Sequence, residues 1–225
     1  MTGWSVAEQA ERVAALLPDG GYVNLGIGMP ASVAAAVAPE RGILFHCENG
    51  LIGYRALDDD EAPDEDVTDA ASAPVGLVPG AAVVAHDVSF AIARGGRLDA
   101  TVLGAFQVSA RGDLANWKSP GARLAGVGGA MDLAVGAKRV IAMMRHTDRS
   151  GAPKIVAACD YPLTAPRSVD HIVTELAVIE VTPDGLAVRE LASGVSFDEL
   201  QAVTDARLLP PAPSPTDPET DEGEH

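Results

Sequence analysis

With 225 residues, 47% of them hydrophobic and only 4% aromatic, the chain has the length of one sizeable domain whose core is built from Ala, Val, Leu and Ile. A formal net charge of −16 excludes nucleic acid as a partner, which needs a basic footprint, and no apolar run approaches the roughly 20 residues of a membrane span. Two cysteines, Cys47 and Cys159, make neither a disulfide framework nor a metal-ligand cluster; with no basic-then-apolar leader, a reducing, cytoplasmic location and no bound metal are expected.

Ser5 and Glu8 have the spacing of a capping box, and Val6, Ala10, Val13, Ala14 and Leu17 recur at helical spacing. That predicts a first helix over residues 5–17. Pro18-Asp19-Gly20-Gly21 ends it, and Tyr22-Val23-Asn24-Leu25 reads as a strand. Gly26-Ile27-Gly28-Met29-Pro30 is a tight turn into an Ala/Val-rich helical segment over 31–38, with a proline where a helix start tolerates one. The apolar run 43–47 reads as a buried strand that delivers Glu48-Asn49-Gly50 at its C-terminal end. The acidic stretch 58–69 holds no Lys or Arg and reads as a long, solvated surface loop.

Further strands are expected at 82–85, 101–103, 139–144, 154–158, 176–181 and 186–191, the last two joined as a hairpin at Pro183-Asp184-Gly185. Helices are expected near 87–94 and 196–204. Strands alternating with helices predict an α/β domain over residues 1–209, a single open and mostly parallel sheet with flanking helices. The Pro-rich acidic tail, 210–225, is expected to be disordered.

Three segments could carry chemistry. Asn24 to Pro30 is a glycine turn between a strand and a helical segment, where backbone approaches a ligand closely. Glu48-Asn49-Gly50 sets a carboxylate on a strand end, and Gly126-Val127-Gly128-Gly129 exposes backbone amides suited to an oxyanion. Taken alone, each also reads as an ordinary turn. In an open α/β sheet ligands gather at the carboxyl ends of the strands, which is where Asn24, Glu48 and the 126–129 glycines are expected to meet.

Together and in order, these segments resemble the B subunit of class I coenzyme A transferases, in the 3-oxoacid branch. The likeness rests on Asn24-Leu25-Gly26-Ile27-Gly28-Met29-Pro30, Glu48-Asn49-Gly50 and Gly126-Val127-Gly128-Gly129-Ala130-Met131-Asp132-Leu133. It continues through Arg94-Gly95-Gly96, Leu103-Gly104-Ala105-Phe106-Gln107-Val108, Gly112-Asp113-Leu114-Ala115-Asn116-Trp117, His146-Thr147 and Pro153-Lys154-Ile155.

The resemblance implies the coenzyme A transferase fold and a ping-pong transfer between succinyl-CoA, or a similar acyl-CoA, and a 3-oxo acid such as acetoacetate or 3-oxoadipate. Glu48 would be the nucleophile and Gly129 the oxyanion donor, helped by Gly128; Asn24, Gly28, Asn49 and Gly50 would contact or shape the substrate and coenzyme A region. Coenzyme A enters as substrate, so no separate cofactor is implied. An A subunit is the implied partner, commonly in an α2β2 assembly. An acyl-CoA hydrolase and a non-catalytic acyl-CoA-binding subunit are the alternatives.

Two departures stand out. Cys47 replaces the family's usual serine, and Asp69-Ala70-Ala71-Ser72 replaces an Asn-Ala-Gly-Lys segment whose lysine lies near coenzyme A. Acyl transfer needs no obligatory proton relay, so His46 and His146 are expected to be structural. Phe106 and Trp117 are expected in the core or an interface.

Overall fold

The computed structural model describes residues 3–58, 60–119 and 126–211. Helix α1 (Val6–Leu16) begins with a complete capping box: Ser5 Oγ accepts from the Glu8 amide, and the Glu8 carboxylate accepts from the Ser5 amide at 2.7 Å. Carbonyls in the last turn of a helix have no partner within it. Here the Arg41 guanidinium donates to Ala14 O and Leu17 O.

Strand β1 (Tyr22–Leu25) follows. The predicted helical segment 31–38 is instead a 3₁₀ segment, Met29–Ala36, with a second at Pro39–Arg41. Gly28 supplies no capping side chain and Pro39 follows closely, so the stretch is too short to nucleate an α-helix.

Next come β2 (Leu44–His46), β3 (Leu51–Arg55), β4 (Gly76–Val83), α2 (His86–Arg94), β5 (Ala100–Leu103), β6 (Gln107–Ser109), β7 (Leu114–Ala115) and α3 (Ala130–Gly136). The remainder holds β8 (Val140–Met143), β9 (Ile155–Val156), β10 (His171–Val173), β11 (Ala177–Thr182), β12 (Gly185–Leu191), α4 (Phe197–Ala202) and β13 (Leu208–Leu209). The second capping box, Ser196 with Glu199, starts α4.

A ten-stranded sheet runs in the order β13-β12-β11-β10-β8-β5-β1-β2-β3-β4. Its centre, β10-β8-β5-β1-β2, is parallel throughout. Antiparallel pairing follows on both sides, through β10–β11–β12 on one and β2–β3–β4 on the other, with β13 added parallel to β12 at the far edge. The predicted single sheet therefore needs two refinements: antiparallel wings, and a separate three-stranded sheet β7-β6-β9. The central strands are buried on both faces: β5 and β8 expose nothing along their length, as a covered parallel sheet requires.

Residues 58 and 60–69 form the expected loop, tied back by Arg55, which donates to Glu61 at 2.7 and 3.2 Å; Asp59 lies outside the described residues. So does the tail from residue 212 onward. Among the described residues no helix is long and apolar enough to cross a membrane.

Candidate active site

Parallel strands β8, β5, β1 and β2 are neighbours in the sheet, so they end along one edge. A cavity of about 450 Å³ opens there. It is lined by residues just beyond those ends: Arg145 after β8, Gly104 and Phe106 after β5, Gly26 and Ile27 after β1, and Glu48 after β2. This is the ligand position that the open α/β architecture favours.

Glu48 is held by a tight turn. Cys47 N donates to Leu51 O at 2.8 Å, and Gly50 N donates to Cys47 O at 3.0 Å. Residues 47–50 therefore close the β2–β3 hairpin, and the carboxylate projects from the turn's second position. Gly50 has φ 110° and faces the Val84 carbonyl, where any Cβ would collide; only glycine fits. Asn49 points elsewhere: its Nδ2 donates to Thr68 O at 2.9 Å and its Oδ1 accepts from Leu51 N. It pins the acidic loop to the turn and does not line the cavity.

Burial raises the Glu48 carboxyl above the usual glutamate range, and the nearby His86 imidazole pulls it the other way. Cys47 is fully buried and burial pushes its thiol up to about 11, so it is no nucleophile at neutral pH.

Gly129 approaches Glu48 from α3. A Cβ at this position would lie 2.7 Å from Glu48 Oε2 and 2.6 Å from Phe90 Cε1. The residue is the N-cap of α3, and its carbonyl accepts from Leu133 N. Gly128 and Gly129 also border a second cavity of about 460 Å³, with His86, Phe90 and Arg94 beyond them and Glu48 shared between the two. Arg94 clamps α2 to α3 by donating to both oxygens of Asp132, at 2.8 and 3.0 Å.

Asn24 does not reach the cavity. It is fully buried, and its amide is spent on neighbours. Thr101 Oγ1 donates to Asn24 Oδ1 at 2.8 Å, while Asn24 Nδ2 donates to His46 O and to His46 Nδ1, both at 3.1 Å. With Nδ1 accepting, His46 carries its proton on Nε2 and donates to Ser89 Oγ at 2.9 Å; Ser89 in turn donates to Cys47 O at 3.3 Å. Burial drops His46 to about 4, so it is neutral, and every group in this chain has a partner of the right kind. Gly28 caps the 3₁₀ segment; its neighbours Ile27 and Met29 line the cavity, and it does not.

A family model for coenzyme A transferase matches residues 6–202. The chain belongs to the coenzyme A transferase family. It is 46% identical over 202 residues to the B subunit of the 3-oxoadipate CoA-transferase of Acinetobacter baylyi, covering 89% of this chain and 93% of that one. It is 44% identical to the mouse mitochondrial succinyl-CoA:3-ketoacid coenzyme A transferase 2B, covering 86% of this chain and 38% of that protein. Among solved structures, the acyl-CoA transferase YdiF from Escherichia coli O157:H7 superposes with a TM-score of 0.74 at 20% identity, over 94% of this chain and 42% of that chain. The fold is thus that of a coenzyme A transferase.

In this transferase, the site brings Glu48, Gly128 and Gly129 together and leaves Asn24, Gly28, Asn49 and Gly50 behind them as supports. Sequence reasoning missed Arg145 and Lys154, both in the cavity wall; Arg145 lies one residue beyond the predicted strand 139–144, and Lys154 opens the predicted strand 154–158. Phe106 and Trp117 line the cavity as well, rather than only filling a core. The small sheet carries them there: Asn116 Nδ2 donates to Gly104 O and Trp117 Nε1 to Leu163 O. At the departure 69–72, Asp69 accepts from the Ala71 and Ala73 amides at 2.8 and 2.9 Å, closing the turn where the resemblance leads one to expect a cation.

Proposed function

We propose that the chain is the catalytic B subunit of a 3-oxoacid CoA-transferase, with Glu48 as the covalent nucleophile. The observation that carries this reading is the half-buried Glu48 carboxylate lying against Gly129 at the edge of the strand-end cavity. The A. baylyi relative's name supports the assignment as the B half, and those of both relatives support the 3-oxoacid acceptor class. The A subunit is inferred as partner. The cavity rim exposes Ile27, Phe106 and Val127, apolar surface suited to cover by another chain, and an α2β2 pair of heterodimers is the assembly we favour.

A carboxylate is a weak nucleophile, but it is ionised at neutral pH without a base. Partial desolvation makes Glu48 more basic than an exposed glutamate and so more reactive. Glu48 attacks the thioester carbonyl, the C–S bond breaks, and coenzyme A leaves as the thiolate with an acyl-glutamyl anhydride behind it. The thiolate then attacks the Glu48 γ-carbonyl, expelling the carboxylate and forming a glutamyl-CoA thioester. The acceptor acid reverses these steps. The Gly129 amide is assigned to the oxyanions, where one lost donor costs about 3–4 kcal/mol. Asn24 acts from behind, by fixing the strand end that carries Glu48.

The test is to co-express the chain with its A subunit and treat the complex with acyl-CoA and borohydride. Inactivation with reduction mapped to Glu48 is the expected result; activity that survives Glu48→Ala overturns the mechanism. Thiol release without an acceptor acid, at the rate of transfer, would mark a hydrolase instead.

A further inference from the structure

Resting on the transferase reading, we infer that Arg145 and Lys154 form a carboxylate subsite that selects dicarboxylic acids, gripping the end of the substrate remote from Glu48. Both residues line the same cavity as Glu48. Most of the remaining wall is apolar or glycine, so these two cations and Glu48 are its charged poles. Among the described residues neither side chain makes a hydrogen bond or an ion pair to a carboxylate, in a chain carrying a net charge of −16. Arg145 is exposed and Lys154 half-buried, so both charges are available to an anion entering the cavity.

The two residues are held side by side by the backbone. Lys154 N donates to His146 O at 3.1 Å, and Thr147 bridges Pro153 in an antiparallel pair. Asp148 closes the loop between them, accepting from the Ser150 and Ala152 amides. His146 is itself locked between Thr174 and Thr204. Burial lowers the Lys154 ammonium pKa and the Arg145 charge adds to that shift, while Glu175 and Asp148 oppose it. A bound carboxylate would relieve that cost, because it stabilises the charged form.

The span also fits. Arg145 follows β8 and Glu48 follows β2, three strand spacings apart in the order β8-β5-β1-β2, or about 14 Å of backbone separation. Two long side chains can shorten that gap to the length of a chain of a few carbons. A small dicarboxylic acid can then present one carboxylate to Glu48 and the other to the cations. A monocarboxylic acid of equal length leaves Arg145 and Lys154 unanswered, which is how a polar site rejects an analogue lacking the matching group.

The test compares two acceptors of one length, 3-oxoadipate and 3-oxohexanoate, on the complex of this chain with its A subunit. The readout is the ratio of their kcat/KM values. The wild-type complex is expected to favour the dicarboxylate. Arg145→Gln and Lys154→Met should each cut that ratio about 30-fold, the loss expected for a charged hydrogen bond, and Lys154→Arg should preserve most of it. A wild-type complex that does not discriminate overturns the inference. So does a ratio unmoved in both variants, even if both slow transfer, since the cations would then serve coenzyme A or the fold. If no acid accepts coenzyme A, the transferase reading itself fails. The subsite is then judged by calorimetry: adipate must bind more tightly than hexanoate, and the preference must vanish in both variants, or the inference is wrong.

Discussion

Glu48 and Gly129 fit together with no room for a methyl group between them: a Cβ on Gly129 would lie 2.7 Å from Glu48 Oε2, while Phe90 Cε1 blocks it at 2.6 Å from another direction. The proposed nucleophile and the backbone assigned to the oxyanion are thus set by one contact between the β2–β3 turn and the start of α3. Neither element alone defines the site.

Gly129→Ala should therefore displace the carboxylate or push α3 away from α2. Overpacking of this kind costs about 1–3 kcal/mol of stability, which a folded domain tolerates. Misplacement by a fraction of an ångström at the reacting centre should lower kcat at least about 100-fold. Steady-state kinetics and a melting curve on the same sample separate the two effects. A variant with normal kcat would show that the Gly129 backbone takes no part.

The buried chain Thr101–Asn24–His46–Ser89–Cys47 leads to the same carboxylate from behind. Asn24→Ala strips His46 O and Nδ1 of their donor and Thr101 of its acceptor. Each buried polar group left without a partner costs about 1–3 kcal/mol, so the melting temperature should fall clearly. Because Ser89 holds the Cys47 carbonyl next to Glu48, kcat should fall too, with KM for acyl-CoA little changed. An intact melting temperature with a raised KM would instead place Asn24 on the ligand.

The parts of this arrangement that were legible in the sequence are those with local rules. Ser5–Glu8 and Pro183-Asp184-Gly185 announce a cap and a hairpin through short-range chemistry, and the apolar runs around β1, β5 and β8 announce buried strands. β3, β6, β10 and α3 carry no such signal: Leu51–Arg55 contains a glycine and ends on arginine, and Ala130–Gly136 is seven residues long with an uncapped start. Pairing with neighbours distant in sequence decides them. The same holds for the site. A family pattern marks Glu48 and Gly129, whereas the burial of Asn24 carries no local signal, because a polar residue on a strand gives no sign of which face it uses. Arg145 and Lys154 come together only through the 146–154 hairpin.

Activity should carry the signature of Glu48's surroundings. Burial raises its pKa, so the proposed nucleophile is lost to protonation at a higher pH than for an exposed glutamate, and the acid limb of the kcat/KM profile should lie above 4.5. His86 opposes that shift. His86→Ala removes the stabilising charge and should move the limb further upward, whereas a limb that stays fixed or moves down would remove His86 from the electrostatics of the site.

Two buried histidines should make stability, as distinct from activity, sensitive to mild acid. His46 and His146 are held neutral, with pKa values about 4 against 6.5 for the free side chain. The unfolded chain takes up both protons as pH falls through 6.5, while the native protein does so only near 4. Their contribution is therefore complete above pH 6.5 and is lost progressively as pH falls across that window, by an amount on the order of 3 kcal/mol per histidine. Urea unfolding at pH 7.5 and pH 5 measures it directly: the midpoint should drop sharply, and His146→Asn should flatten the dependence. Equal midpoints at the two pH values would mean that neither imidazole is held neutral by the fold.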